Sequence, residues 1–150
     1  MTSFSMANRI LVDANVIVAA VLPRDPHHKK AAEVLRNYSR NQTEFITNEY
    51  IHSETLTITL MRGKSMEAVY LLDTQFFVPE TITVFPLPVL WQNDIMHVFI
   101  SQKKYKGEYL SYPDASLIIQ ARKLRISTIL TFDTTFEQFK GEFDLPCLSK

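Results

Sequence analysis

The chain has 150 residues, of which 46% are hydrophobic and 21% are charged. A chain of this length and composition can bury one globular core, so we expect a single domain over residues 1–150 and exclude a multi-domain enzyme. Sixteen Lys and Arg balance sixteen Asp and Glu, which gives a formal net charge of zero. This balance excludes a histone-like or tail-type nucleic-acid binder, and any polyanion must be bound by a local charged patch.

Cysteine usage and the N-terminal segment predict an intracellular, cytoplasmic protein that does not associate with membranes. Cys147 is the only cysteine, so no disulfide forms within the chain, and no Cys/His cluster has the spacing of a zinc site. The apolar stretch 10–22 is interrupted by Asp13 and Asn15 and is too short to span a bilayer.

Glycine-rich phosphate loops are absent from the sequence. The only glycines are Gly63, Gly107 and Gly141, which are too far apart for a GxGxxG or a GxxxxGK[ST] motif. Dinucleotide-binding enzymes and P-loop nucleotidases are therefore excluded.

Short apolar runs alternate with longer helical patterns along the chain, which predicts an α/β domain with three layers. Strands are predicted at 9–13, 44–47, 81–85 and 127–131, with an edge strand at 145–148. Helices are predicted at 15–22, from about 26, from 47 to 61, at 65–77, at 91–101 and at 113–124, with a helical turn from 133. We expect Thr47 to cap the third helix and Gly63 to end it.

Two aspartates directly follow predicted parallel strands. Asp13 ends the first strand, and Asp133 comes just after the fourth. The carboxyl ends of parallel strands form the edge at which open α/β sheets bind their ligands. Each aspartate could equally be the N-cap of the following helix, so position alone leaves both interpretations open.

Two further carboxylates fall on inward helix faces. Glu54 shares a stripe with Ile51 and Ile58, and Asp114 lies on the apolar face of its helix. A buried carboxylate needs a partner or a cation. The alternatives are an arginine partner or a rim position for Glu54, and an interaction with the helix dipole for Asp114. Glu49 is a weaker candidate, because the dipole of the first helical turn already accounts for it.

One shared site explains the unusual placement of these four carboxylates better than four independent causes do. Three or four carboxylates at one end of a parallel sheet, without cysteine or suitably spaced histidine, form an all-oxygen donor set for Mg²⁺ or Mn²⁺. Magnesium bridges phosphate oxygens and presents an activated hydroxide, as hydrolysis of a phosphodiester requires. The sequence therefore predicts phosphoryl hydrolysis.

Four short motifs contain these carboxylates. They are LVDANVI at 11–17, EYIHSETL at 49–56, SYPDAS at 111–116 and TFDTTF at 131–136. The ordered set, which extends over essentially the whole chain, resembles the PIN-domain ribonucleases, particularly the VapC-like toxins of toxin–antitoxin pairs. The resemblance implies a three-layer α/β/α fold with a five-stranded parallel sheet of order 3-2-1-4-5. It also implies an endoribonuclease that cleaves single-stranded RNA with Mg²⁺ or Mn²⁺.

The resemblance assigns a role to each acid. Asp13 and Asp114 would bind the metal directly, and Asp133 would complete the metal site, directly or through water. Glu54 would ligate the metal or hold the nucleophilic water. These four residues would thus be both the catalytic and the metal-binding set.

Polar residues beside the acids also match the family pattern. Asn15 would orient Asp13 or a phosphate, although a helix N-cap explains Asn15 equally well. Ser111 and Thr131 match polar positions near the later acids, and a cap and a strand hydroxyl are their alternatives. Pro113 departs from the pattern, since a smaller hydroxyl residue often precedes the acid there. The proline suits a helix start but removes a hydrogen-bond donor.

The segment 102–110, which precedes the helix predicted at 113–124, is basic and aromatic. Lys103, Lys104 and Lys106 are interleaved with Tyr105 and Tyr109. We interpret the three lysines as an RNA-binding surface, and a solvated loop is the alternative.

Partners and an alternative function follow from the remaining features. The helix predicted at 65–77 has more apolar surface than one inward face needs, which favours a homodimer. The resemblance implies RNA as substrate and an antitoxin protein as partner. A catalytically silent PIN fold that serves as a protein-interaction module is the alternative function.

Overall fold

The computed structural model describes residues 8–149. One parallel sheet of order β3-β2-β1-β4 contains the strands β1 (Arg9–Val12), β2 (Glu44–Asn48), β3 (Ile82–Phe85) and β4 (Ile129–Leu130). The α-helices in this range are α1 (Ala14–Val21), α2 (His28–Arg40), α3 (Glu49–Gly63), α4 (Met66–Leu71), α5 (Gln92–Ser101) and α6 (Tyr112–Leu124). Helix α4 continues into one π-helical turn, Leu72–Phe76.

The strand order determines the layers. The chain moves from β1 to β2 to β3 in one direction and returns past β1 to β4. Since parallel crossovers are right-handed, α1 to α4 cover one face of the sheet, and α5 and α6 cover the other. Helix α1 packs against α2 and α3, while α5 packs against α6. The predicted alternation of strands and helices is confirmed.

Strand β1 lies in the centre of the sheet and carries an uninterrupted apolar run. Ile10, Leu11 and Val12 are fully buried, as expected for a parallel strand that is covered on both faces. Leu11 pairs with β2 on one side and with β4 on the other. The backbone N–H of Asp13 continues this ladder by donating to the carbonyl of Leu130 at 2.9 Å. The first acid is therefore fixed at the sheet edge by main-chain hydrogen bonds.

The predicted fifth strand is not formed, so the expected order 3-2-1-4-5 is wrong in the described part of the chain. Residues Pro146–Leu148 form a 3₁₀ turn instead. A single parallel bridge, between Thr128 and Asp144, lies beside β4. The proline that follows has no N–H to donate and a fixed φ, so pairing stops after one bridge.

The start of α3 also differs from the prediction. The cap is Asn48, whose side chain accepts hydrogen bonds from the backbone N–H groups of Tyr50 and Ile51 at 3.0 and 3.1 Å. Thr47 instead lies within β2. The helix ends at Gly63, as predicted. Between residues 8 and 149, no helix combines the length and the apolarity needed to cross a membrane.

Candidate functional site

A pocket at the carboxyl edge of the sheet is lined by all four predicted acids. They come from four places in the chain: the end of β1, the middle of α3, the first turn of α6 and the turn after β4. The lining residues are Asp13, Ala14, Asn15, Glu54, Ile58, Tyr109, Ser111, Asp114 and Asp133. Topology thus brings together side chains that are up to 120 positions apart, because β1 and β4 are neighbours.

Asp13 is both a helix cap and a member of the acidic pocket. Its Oδ1 accepts from the N–H of Ala14 at 2.7 Å, which caps α1. Its Oδ2 accepts from the hydroxyl of Thr131 at 2.7 Å and from the amide of Asn15 at 3.3 Å. Burial raises the pKa of Asp13 to about 7, against these hydrogen bonds, and the negative charges of Glu54 and Asp133 raise it further. The two interpretations of this aspartate are therefore compatible.

Asn15 and Thr131 connect the first acid to the chain after β4. The side-chain oxygen Oδ1 of Asn15 accepts from the N–H of Phe132 at 3.0 Å, and the Thr131 hydroxyl accepts from the N–H of Asp133 at 3.0 Å. An N-cap role for Asn15 is wrong, since Asp13 is the cap of that helix. Both polar side chains instead hold the two acids in a fixed relation.

Asp114 is held by a capping box. The Ser111 hydroxyl accepts from the N–H of Asp114 at 3.2 Å, and Oδ2 of Asp114 accepts from the N–H of Ser111 at 3.1 Å. The residue is only 7% exposed. Burial raises the pKa of Asp114 to about 8, and the charges of Asp13 and Asp133 add to this shift. Pro113 lies in the first turn of α6, where its missing N–H has no helical partner in any case.

Glu54 lies within α3 and, unlike the three aspartates, takes no part in a helix cap. Its side chain is half-buried and lines the pocket beside the aspartates. No Lys or Arg in residues 8–149 forms an ion pair with it, so the expected alternative of an arginine partner is not found there. Burial raises its pKa, followed by the charges of Asp114 and Asp133.

Asp133 caps the 3₁₀ helix Thr134–Phe139. Its Oδ1 accepts from the N–H and from the hydroxyl of Thr135, at 2.9 and 2.7 Å. Within residues 8–149, no three His, Cys, Asp or Glu side chains are close enough together to form a complete metal site. The four acids therefore line one pocket without meeting at one point, which is the arrangement expected of like charges that are also engaged as caps.

A buried polar network, which sequence reasoning missed, fixes α3 against α6. The Asn48 amide donates to the Ser116 hydroxyl at 3.0 Å and to the Gln120 side-chain carbonyl at 2.9 Å. Gln120 in turn donates to the backbone carbonyl of Thr47 at 3.1 Å. All of these residues are fully buried. The sequence signal for this network is the presence of two polar residues, Ser116 and Gln120, on an otherwise apolar face of α6.

Glu49 lies outside the pocket. Both of its carboxylate oxygens accept from the N–H of Leu87, at 2.9 and 3.1 Å. It therefore holds the segment after β3 to the first turn of α3. This contact, together with its place in the first helical turn, accounts for the residue without a catalytic role.

The three lysines have different surroundings. Lys106 forms an ion pair of 2.9 Å with Glu137, whereas Lys104 lies over the ring of Tyr109 at 5.6 Å from the centroid. Lys103 is exposed. Since Tyr109 lines the acidic pocket, Lys104 is the lysine with a structural link to the site.

Fold and site together define the class of protein: a parallel α/β domain with an acidic pocket where the central strands end. The chain belongs to the PIN domain family, whose sequence profile matches residues 10–142. The predicted resemblance to this family is thereby confirmed.

A solved structure has a similar fold. It is the crystal structure of VapC20 of Mycobacterium tuberculosis, a toxin that cleaves the sarcin-ricin loop. The two share 19% sequence identity with a TM-score of 0.70, over 86% of this chain and 93% of that chain. At this identity the similarity is one of fold. No curated protein has a significantly similar sequence.

Proposed function

We propose that the protein is a divalent-metal-dependent endoribonuclease that cleaves the phosphodiester bonds of single-stranded RNA and acts as the toxin of a toxin–antitoxin pair. The observation that carries this proposal is the pocket lined by Asp13, Glu54, Asp114 and Asp133. Among residues 8–149, no Lys, Arg or His contributes to its lining. Membership of the PIN family and a fold like that of a toxin that cleaves the sarcin-ricin loop support RNA as substrate.

The chemistry of the donor set fits a hard divalent cation, Mg²⁺ or Mn²⁺, and holding one ion requires the carboxylates to move closer together. The set consists of carboxylate oxygens, which such ions prefer, and burial and mutual repulsion disfavour the ionised forms of Asp13 and Asp114 when no cation is near. Asp13, Asp114 and Asp133 would hold the ion, and Glu54 would either ligate it as well or hold the attacking water. When bound, the ion supplies Lewis acidity toward a phosphate oxygen.

The residues of the chain have separate tasks in this proposal. Thr131 and Asn15 orient the Asp13 carboxylate, and the backbone N–H of Ser111 orients that of Asp114. Glu54 has a raised pKa and no ion-pair partner among the described residues, so it is the candidate to hold the attacking water and to accept its proton.

Substrate binding is assigned to the basic segment before α6. Lys103 and Lys104 are exposed and supply positive charge to RNA phosphates. Lys106 is the third lysine of the predicted RNA-binding set. Because it forms an ion pair with Glu137, its main role is to hold the segment in place.

Two protein partners belong to the proposal: an antitoxin and a second copy of the chain. The exposed apolar side chains of α3 and α4 support a homodimer; they are Leu60, Met61, Met66, Tyr70 and Leu71. Phe76 and Phe77, which also belong to the helix predicted at 65–77, pack against the core instead. Light scattering should give the mass of two chains at high protein concentration, and a single-chain mass there would contradict the homodimer.

The decisive experiment is a metal titration with a circular single-stranded RNA. Protein treated with EDTA should leave the circle intact, and added Mg²⁺ or Mn²⁺ should open it, which only an endonuclease can do. A duplex of the same sequence should resist cleavage. If the metal binds and the circle stays closed, the protein-interaction module becomes the better interpretation.

A further inference from the structure

The segment between α5 and α6 is an ordered hairpin. Tyr105 and Glu108 exchange two backbone hydrogen bonds of 2.9 and 3.0 Å. Between them, Lys106 and Gly107 have positive φ angles of 48° and 87°, the combination found in tight two-residue hairpin turns. Glycine adopts such an angle without strain, so the sequence Lys-Gly specifies this turn.

The hairpin is held in place at its tip and at its base. At the tip, Lys106 binds Glu137 at 2.9 Å. At the base, the Gln102 side chain accepts from the N–H of Leu110 at 2.6 Å and donates to its carbonyl at 3.0 Å. Leu110 is buried in the core. The residue between tip and base is therefore held in place before any ligand arrives.

That residue is Tyr109, whose ring is presented at the rim of the acidic pocket. The residue is 62% exposed, although it directly precedes a fully buried leucine. It shares the pocket with Ile58, Glu54 and Asp114. Lys104 lies over its ring at 5.6 Å, and no aromatic side chain of residues 8–149 stacks on it.

We propose that Tyr109 stacks on an unpaired nucleobase next to the scissile phosphate, while Lys104 neutralises the adjacent phosphate. This inference rests on the proposed function. The four carboxylates repel the RNA backbone, so binding at this place requires a contact that carries no negative charge. An aromatic ring provides it, because every base has a face that can stack. Bases of a duplex are already stacked and paired, so the same contact favours single strands.

The test compares variants at one position in binding assays without metal. Single-stranded RNA is labelled with a fluorophore, and its anisotropy is measured at low salt in EDTA, so that cleavage does not interfere. We expect Tyr109→Ala to weaken binding about tenfold and Tyr109→Phe to retain parental affinity, since stacking uses the ring and not the hydroxyl. Leu90→Ala is the control, because Leu90 is 88% exposed in the 3₁₀ turn Val89–Trp91, outside both the pocket and the proposed dimer surface.

A set of RNAs with one abasic nucleotide identifies the base that stacks. For the parental protein, removal of that base should weaken binding by about the same factor as Tyr109→Ala. For Tyr109→Ala, its removal should have no further effect. Equal affinity of Tyr109→Ala and parental protein for every RNA would overturn the stacking inference and leave the nuclease proposal intact. A parental protein that neither binds nor cleaves RNA would overturn both.

Discussion

The hydroxyl of Thr131 donates a hydrogen bond of 2.7 Å to Oδ2 of Asp13, across 118 positions of sequence. The same hydroxyl oxygen accepts from the N–H of Asp133 at 3.0 Å. One small side chain thus connects the two acids that follow adjacent strands. Donation to Asp13 favours its ionised form and opposes the effect of burial on its pKa.

Replacement of Thr131 by valine should therefore destabilise the protein. Valine keeps the shape but leaves the buried Asp13 carboxylate and the Asp133 N–H without this partner, a loss of about 1–3 kcal/mol. Urea denaturation near neutral pH measures the change. Thr131→Ser is the control, because serine keeps the hydroxyl and should restore most of the free energy of unfolding. Equal stabilities of the serine and valine variants would contradict the assigned role.

The Asp114→Asn variant should separate catalysis from folding. Asparagine retains the side-chain oxygen that accepts from the N–H of Ser111, so the start of α6 should stay intact, while one anionic metal ligand is lost. We expect cleavage of single-stranded RNA to be abolished, with an unchanged circular dichroism spectrum. Asp94→Asn is the control, since Asp94 is a half-exposed residue of α5 that pairs with Lys123 and lies outside the pocket. Cleavage by Asp114→Asn at the parental rate would refute the nuclease proposal.

Three acids of the pocket could be predicted from the sequence, because a local pattern marks each of them. Asp13 follows an apolar strand, and Glu54 and Asp114 interrupt apolar helix faces, so their placement needs only the periods of strand and helix. The common pocket follows from a parallel sheet, in which strand ends meet at one edge.

Other features depended on contacts that no local pattern encodes. Glu49 binds the N–H of Leu87 after β3, and Asn48 bonds to α6, so both roles require the assembled fold. The missing fifth strand has a different cause, because Pro146 has no N–H to donate and pairing stops after the single bridge between Thr128 and Asp144. Neutralisation of Lys106 by Glu137 likewise joins two segments that are distant in the chain.

The stability of the metal-free protein should fall as the pH rises. Asp13 and Asp114 have pKa values raised to about 7 and about 8, so the folded state retains protons that the unfolded state has already released. The contribution of these two acids to the free energy of unfolding should therefore be highest below the unfolded pKa of about 4 and should decrease until the pH passes these folded values. Thermal melts in EDTA across this range measure the slope, which should be smaller for Asp114→Asn.

Divalent cations should reverse that loss. A cation that binds the ionised acids stabilises the folded state, so added Mn²⁺ should raise the melting temperature more at pH 8 than at pH 5. Na⁺ at matched ionic strength separates binding of the divalent cation from screening. A melting temperature that does not respond to Mn²⁺ at pH 8 would argue against a metal site formed by these residues.

The three lysines should contribute unequally to RNA affinity. Changing Lys103, Lys104 and Lys106 together to glutamine should weaken binding and flatten its dependence on salt, because fewer counterions are released. Lys104→Gln alone should reduce the slope of log affinity against log salt by roughly 0.7, the value for one phosphate contact on a single strand. Lys106→Gln should change the slope less, since Lys106 is already paired with Glu137. Fluorescence anisotropy at several salt concentrations gives these slopes, and an unchanged slope in the triple variant would remove this segment from the RNA-binding surface.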